Sequence, residues 1–403
     1  MKYDIWGNET WEHFAYKQLL EAFPAGHEFV FRGNGSPPGS HEPIPIRFVP
    51  EVDLVAPRNH EYAAIVCSPF WIHQALGSGY SKVFFIMEPC PAGVQRAVWE
   101  KYSGLLAEAA DLMITGSEKI YLEQCLRRRN VVWWDAGAVD SGENQRLVGT
   151  FVERVFRKET LEYCMREQWK QRIRAYCRLR EDVGNHETIS YLLASYHYFL
   201  GEQKARELLL ESFETVLLRE HNGTLHSHYR FLSAMEAQQG QLEHAVYTYA
   251  ITAVLPEEKE ALARMERWAA MDRFHLLEAE LYLANDDFAA AESAALEDAS
   301  EEAEHFLIDL YLRQWMWKKG LRLMERLHLK EHQGLSIDQI RATLLWIRNQ
   351  KHEAVTQLLR ASLLDWNMLL AFAENDLMLR GCEQLKERLN HEAGSEENTQ
   401  SEG

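Results

Sequence analysis

The chain has 403 residues, 46% of them apolar, which is enough for two or more domains with cores of their own. Its formal charge of -18 argues against a general nucleic-acid binder, which needs excess Lys and Arg to neutralise phosphates, and favours a self-repelling, soluble surface. The opening residues Met1-Lys2-Tyr3-Asp4-Ile5-Trp6 lack the apolar core of a signal peptide, and the longest apolar runs have strand length. The six cysteines are scattered without a Cys-x-x-Cys pair. A cytoplasmic setting with reduced thiols follows, and Cys67 and Cys90 are expected to be buried.

Tyr3 to Trp6 reads as the first strand, stopped by Gly7-Asn8. A helical pattern follows from Trp11 to Phe23 and closes at Pro24-Ala25-Gly26. Phe29 to Phe31 is the second strand, residues 34–45 are a Gly/Pro/Ser-rich loop, and Ile46 to Val49 is a third strand. Ala63 to Cys67 and Val83 to Met87 are continuous apolar runs of buried-strand length. Val94 to Ala110 is helical and Leu112 to Thr115 a strand. A helix then starts at Ser117 as N-cap with Glu118 in its first turn, and Val131 to Trp134 is the last strand.

Strands alternating with helices imply a parallel sheet, and such sheets bind ligands beyond the carboxyl ends of their strands. The candidate binding residues there are Gly7, Asn8, Glu9 and His13 after the first strand, Ser68 after the fourth, and Gly116 with Ser117 after the sixth. Glu88, after the fifth, is the candidate catalytic acid or base, and a solvated carboxylate is the plainer reading of it. No Gly-x-Gly-x-x-Gly or Walker loop occurs, so no dinucleotide or other bound cofactor is expected.

Two segments carry a resemblance. GHEFVF at 26–31 looks like the second-strand entry of GT-B glycosyltransferases. ADLMITGSEKIYLEQCLRRRNVVWWDAGAVD at 110–140 is similar to the segment closing the N-terminal half of family 4 members, with Ala136 to Asp140 where their turn would be. The resemblance covers about a third of the chain and implies a Rossmann-like domain over 1–148, with a nucleotide sugar as substrate. Many retaining members carry a His where this chain has Glu88, and nothing after residue 150 looks like their second, nucleotide-binding lobe.

Residues 149–185 read as a basic connecting segment. Leu161, Met165, Trp169, Ile173 and Tyr176 form one apolar face, and the Arg residues are partly paired with Glu153, Glu159, Glu162 and Glu167. Docking of 152–180 on an anionic membrane is the less favoured alternative. Arg127-Arg128-Arg129 reads as the cationic last turn of a helix.

From 186 to 390 the chain falls into helix pairs, a large residue on one helix answering a small one nine positions on: Tyr196 with Ala205, Glu236 with Ala245, Tyr282 with Ala291, Tyr311 with Gly320, Leu345 with Ala354. Pro256 is read as ending the second pair, and EHNGTLHSH at 220–228 as a polar turn. Trp315, Trp317, Trp346 and Trp366 are expected as core or inter-repeat wedges. Residues 233–256 and 279–295 resemble the tetratricopeptide repeat, which implies an all-α solenoid whose concave face binds a protein or peptide partner. Residues 391–403 read as a disordered acidic tail. The expected function is an interaction scaffold carrying a degenerate or partner-dependent glycosyltransferase-like domain; the alternative is an active glycosyltransferase whose acceptor the repeats position.

Overall fold

A computed structural model of the chain describes residues 2–7, 16–23, 28–33, 46–50, 62–127, 130–134, 141–218 and 222–348, with 350, 353, 354 and 357 beyond. The loop expected at 34–45, Arg128 and Arg129, the turn at 136–140, His221, Trp366 and the acidic tail lie outside these residues.

Among the described residues seven strands form one parallel sheet: β1 (Lys2–Trp6), β2 (Glu28–Gly33), β3 (Ile46–Pro50), β4 (Tyr62–Val66), β5 (Lys82–Ile86), β6 (Leu112–Thr115) and β7 (Val131–Trp133). Their spatial order is β3-β2-β1-β4-β5-β6-β7, so the direction of winding reverses between β1 and β4. Each strand expected from the sequence is present with ends shifted by a residue or two, because a run buried on both faces leaves an unbroken apolar signature. Alternation along β1 sends Tyr3 and Trp6 to opposite faces. Tyr3 meets Phe23, just beyond α1 (Lys17–Leu20), and Phe156 of α5 (Ser141–Arg157). Trp6 meets Trp71, in the 3-10 turn Pro69–Trp71 that leads into α2 (Ile72–Gly77). Two more helices, α3 (Arg96–Ala109) and α4 (Glu118–Leu126), make the crossovers to β6 and β7.

The expected break at 148/149 falls inside α5, which buries Val148, Phe151, Val152 and Val155 in the core of the sheet domain. The basic segment is therefore two helices, α5 and α6 (Glu162–Val183), separated by a turn with Lys158 at φ 56°. Leu161, Met165 and Trp169 are buried, and Ile173 and Tyr176 are packed against the same core. Arg157 pairs with Glu153, Arg154 with Glu159 and Lys170 with Glu167.

Among the described residues the further helices are α7 (Glu187–Phe199), α8 (Lys204–Leu218), α9 (Asn222–Gln238), α10 (Leu242–Ala250), α11 (Pro256–Ala270), α12 (Phe274–Ala284), α13 (Phe288–Leu296), α14 (Glu301–Arg313), α15 (Trp317–Arg326) and α16 (Ile337–Ile347). A two-stranded hairpin, β8 (Glu331–His332) with β9 (Leu335–Ser336), precedes α16. Each helix packs on the next. Their tight turns repeat one device. Gly201, Gly240, Asp272, Asp286, Trp315 and His328 all have left-handed backbone, with φ between 53° and 74°. In each case the following N–H reaches back to a carbonyl five residues earlier, as in Glu202 to His197, Gln241 to Glu236, Arg273 to Trp268 and Met316 to Tyr311. That closure satisfies carbonyls the helix end leaves open and turns the chain back antiparallel.

The residues expected to pair are mostly buried, and contact is direct at Gly320, where a Cβ would lie 3.6 Å from Tyr311 Cβ. Tyr196, Ala205, Glu236, Ala245, Tyr282, Ala291, Tyr311 and Ala354 are all buried. A Cβ on Gly320 would lie 3.1 Å from Leu312 Cδ2, so the two helices touch at that point. Three expectations are corrected. Pro256 opens a helix rather than ending a pair, since its missing N–H is no loss at a first helical position. The polar turn at 220–228 is largely the start of α9, and His228 is buried with Nε2 2.8 Å from Ser212 Oγ. Cys67 and Cys90 are only partly buried; among the described residues Cys125 and Cys164 are the buried thiols, and burial pushes Cys125 up to about 12. Among the described residues no helix is long and apolar enough to cross a membrane.

The helical part touches the sheet domain at both of its ends. At the start, α7 packs on α6, and Tyr196 lies beside Tyr121 of α4. At the far end, α16 packs on α2, and Lys101 of α3 sits over the Trp317 ring at 5.6 Å. Ile308, Leu312, Trp317, Met324 and Ile340 belong to the same buried cluster as the strands.

Candidate functional site

The parallel topology lines the sequence candidates along one edge. Gly7, Ser68, Glu88 and Gly116-Ser117 follow β1, β4, β5 and β6, which are consecutive neighbours in the sheet. Asn8, Glu9 and His13 lie outside the described residues.

Several of these groups are engaged within the fold. The Gly7 N–H donates to Arg32 O (3.2 Å), extending the β1–β2 ladder. Ser68 is buried, and its hydroxyl accepts from Phe70 N at the head of the 3-10 turn. The Ser117 hydroxyl accepts from Ile120 N as the N-cap of α4, and its own N–H donates to Thr115 Oγ1 (3.1 Å). Gly116 is exposed, and its carbonyl accepts from Trp133 Nε1 (3.4 Å). Glu88 is exposed and accepts a hydrogen bond from the Tyr16 phenol. Among the described candidates that pair leaves a carboxylate facing solvent with a phenol on it.

Beneath the edge, Asp4 of β1 is fully buried and pairs with Arg32 of β2 (3.0 Å). Tyr80 donates to Asp4 (2.7 Å) and accepts from Trp6 Nε1 (3.1 Å). Burial, with the Asp4 carboxylate beside it, holds the Tyr80 phenol well above its ordinary range. A buried charge is costly unless paired and hydrogen-bonded; here Asp4 is paired through Oδ1 with Arg32 and hydrogen-bonded through Oδ2 by Tyr80, at the point where the winding reverses.

The densest polar constellation lies one step along, at Glu118, the first residue of α4. Its Oε1 accepts from Arg172 Nη2 and from Tyr196 OH, both at 2.7 Å, and its other oxygen accepts from Tyr176 OH. Arg172 stacks on Trp133 with its guanidinium carbon 3.4 Å from the ring centroid. Burial and then Glu118 push the Tyr176 phenol up, and burial does the same to Tyr196. The carboxylate also faces the positive end of the α4 dipole. Arg172, Tyr176, Tyr196 and Trp133 were not singled out as a site from the sequence. They come from three separate elements, and the only local signal was the i, i+4 spacing of Arg172 and Tyr176 on α6.

Past this cluster a cavity of about 480 Å³ opens between α4 and the helical part. Its apolar walls are Leu122 and Leu126 of α4, Tyr191, Leu192 and Phe199 of α7, and Phe231 of α9. Its polar rim is Lys119, Glu123, Ser227, Arg230, Asn285 and Asp286. The size and mixed lining are those of a ligand or side-chain pocket at a domain boundary. A second cavity, about 420 Å³, lies on the far side of α4, lined by Glu108, Arg127, Asn130, Glu292 and Lys319. Arg127 caps the C-terminus of α4, as expected, and stacks there over Phe288 at 5.4 Å.

No protein-family model matches the sequence, and comparison with curated proteins and with solved structures found no match.

Proposed function

We propose that the chain is a cytoplasmic protein-interaction scaffold. In this reading a tetratricopeptide-like array of helix pairs is built around a Rossmann-like domain akin to the N-terminal half of a GT-B glycosyltransferase. The partner is a protein or peptide seated on the inner face of the array. The supporting observation is the cavity of about 480 Å³, whose walls come from α7 and α9 on one side and α4 on the other. A side chain inserted there would touch both parts of the molecule at once, so binding would be coupled to the junction held by Glu118 and Arg172.

The test uses the full chain. A photo-crosslinking residue at Ser227, on the cavity rim, should trap one protein partner at defined contacts. A thermal-shift panel of nucleotide sugars should leave melting unchanged, since only a ligand bound to the native state raises apparent stability. A saturable shift with one nucleotide sugar, together with turnover, would overturn the scaffold reading.

The second reading, an active glycosyltransferase, is favoured by one observation: Glu88, exposed at the carboxyl edge with the Tyr16 phenol on it. If Glu88 is the acid or base, Glu88→Gln abolishes transfer while binding of the nucleotide sugar survives.

A further inference from the structure

Four large apolar side chains within nine residues stand in water at the end of α10. Tyr247 is 72% exposed, Ile251 51%, Val254 60% and Leu255 50%. Single exposed apolar residues are ordinary, but a contiguous group marks an interaction surface. Their spacing is that of one helix face, yet α10 stops at Ala250 and the chain turns.

The turn is fixed from below. Glu258, buried at the start of α11, accepts from the N–H groups of Val254 and Leu255, both at 2.9 Å, and pairs with Arg230. Thr252 is buried, and its hydroxyl donates to Tyr249 O (2.8 Å). Backbone held this firmly presents its apolar side chains in a set arrangement, so a partner would lose little conformational freedom on meeting them.

Charge selects the partner. Nearest the turn, Glu243, Glu257 and Glu260 are exposed against a single exposed cation, Lys259; Glu260 pairs with Arg264 (3.3 Å), Glu266 and Arg267 follow further along α11, and the chain carries -18 overall. A second copy would bring like charges together, whereas a basic surface would be drawn in. We propose that the α10–α11 turn is a docking surface for a partner protein presenting an apolar segment flanked by Lys or Arg. This rests on the scaffold reading and adds to it a surface separate from the α4 cavity.

Two labelled amphipathic helical peptides, one of Leu and Lys and one of Leu and Glu, serve as probes, with fluorescence anisotropy measured on the full chain. The Leu–Lys peptide should bind and the Leu–Glu peptide should not. Tyr247→Ser with Ile251→Ser should weaken binding by about tenfold or more without lowering the melting temperature, because both side chains face solvent. Equal binding to this double variant would overturn the proposal, since charge alone would then explain the affinity. So would a dimer of the full chain that the double variant dissolves, or adsorption to phosphatidylcholine vesicles that it abolishes. If peptide binding fails while the Ser227 crosslink persists, the surface is wrong and the scaffold reading stands. If the peptide binds but the full chain turns over a nucleotide sugar, the scaffold reading is wrong and the surface stands.

Discussion

A Cβ placed on Gly104 would lie 2.0 Å from Cδ1 of Trp315. Gly104 is in the middle of α3, and Trp315 is the left-handed residue of the α14–α15 turn, at φ 60°. A bulky side chain in that conformation is strained, and here its indole fills the space a helix leaves where it has no side chain. Gly104→Ala should therefore cost about 1–3 kcal/mol, more than its gain in helix propensity returns. In a Trp315→Ala background the same change should cost little. Urea denaturation of the two single variants and the double variant measures the coupling, and additive losses would contradict the contact.

The Glu118 junction predicts a graded series. Arg172→Ala strands the Glu118 carboxylate and removes the stack on Trp133, for a loss of about 2 kcal/mol, below the fully buried case because both groups keep some exposure to water. Arg172→Lys keeps the charge and loses the planar stack, so it should fall between wild type and Ala. Tyr196→Phe removes one bond to the carboxylate and should cost about 1 kcal/mol. Equal losses for all three, by chemical denaturation, would show that packing rather than the charge network holds the junction.

Glu258 makes stability depend on acidity. Burial alone would raise its pKa, but the N–H groups of Leu255 and Val254 and the Arg230 guanidinium hold it below the ordinary 4.5. A carboxylate depressed in the folded state contributes stability above its unfolded pKa and loses it as pH falls through the folded value. Glu258→Gln should thus cost about 2 kcal/mol at pH 7, with the difference from wild type shrinking on acidification below about pH 4.5. A difference that stays constant between pH 7 and pH 3 would refute the assignment.

Asp272 is exposed and left-handed at φ 53°, in a turn whose counterparts at 201 and 240 are glycine. Asp272→Gly should be neutral or stabilise by up to about 0.5 kcal/mol, relief of strain being offset by a freer unfolded chain. A loss above 1 kcal/mol by denaturation would mean that the aspartate side chain holds the turn.

How far the sequence revealed this depends on the range of each interaction. Strands such as Val83 to Met87 were visible because burial on both faces writes itself into consecutive residues. The helix pairs were visible where a small residue sits nine positions after a large one. The α11–α12 pair was missed because Leu277, not Ala or Gly, stands nine residues after Trp268, although its turn closes in the same way. The places of Gly7, Ser68, Glu88 and Ser117 beyond strand ends were legible because strand ends are local features. The convergence of residues 118, 133, 172, 176 and 196 was not, because no spacing within one element encodes it. Residues 254 and 255 read only as the end of a pair, and Glu258 fastening them appears only once the turn is folded.

The packing of the far helices on α2 and α3 sets an order for synthesis. All seven strands have been made by Trp133, yet α2 and α3 receive their covering helices only when residues up to Ile347 emerge, about two hundred residues later. At roughly 5–20 residues per second that interval runs to ten seconds or more, during which Gly104 and its neighbours face water rather than Trp315. A ribosome stalled in that interval would hold a chain whose sheet strands are all made while the flank of α2 and α3 that Trp315 and α16 later cover is still bare.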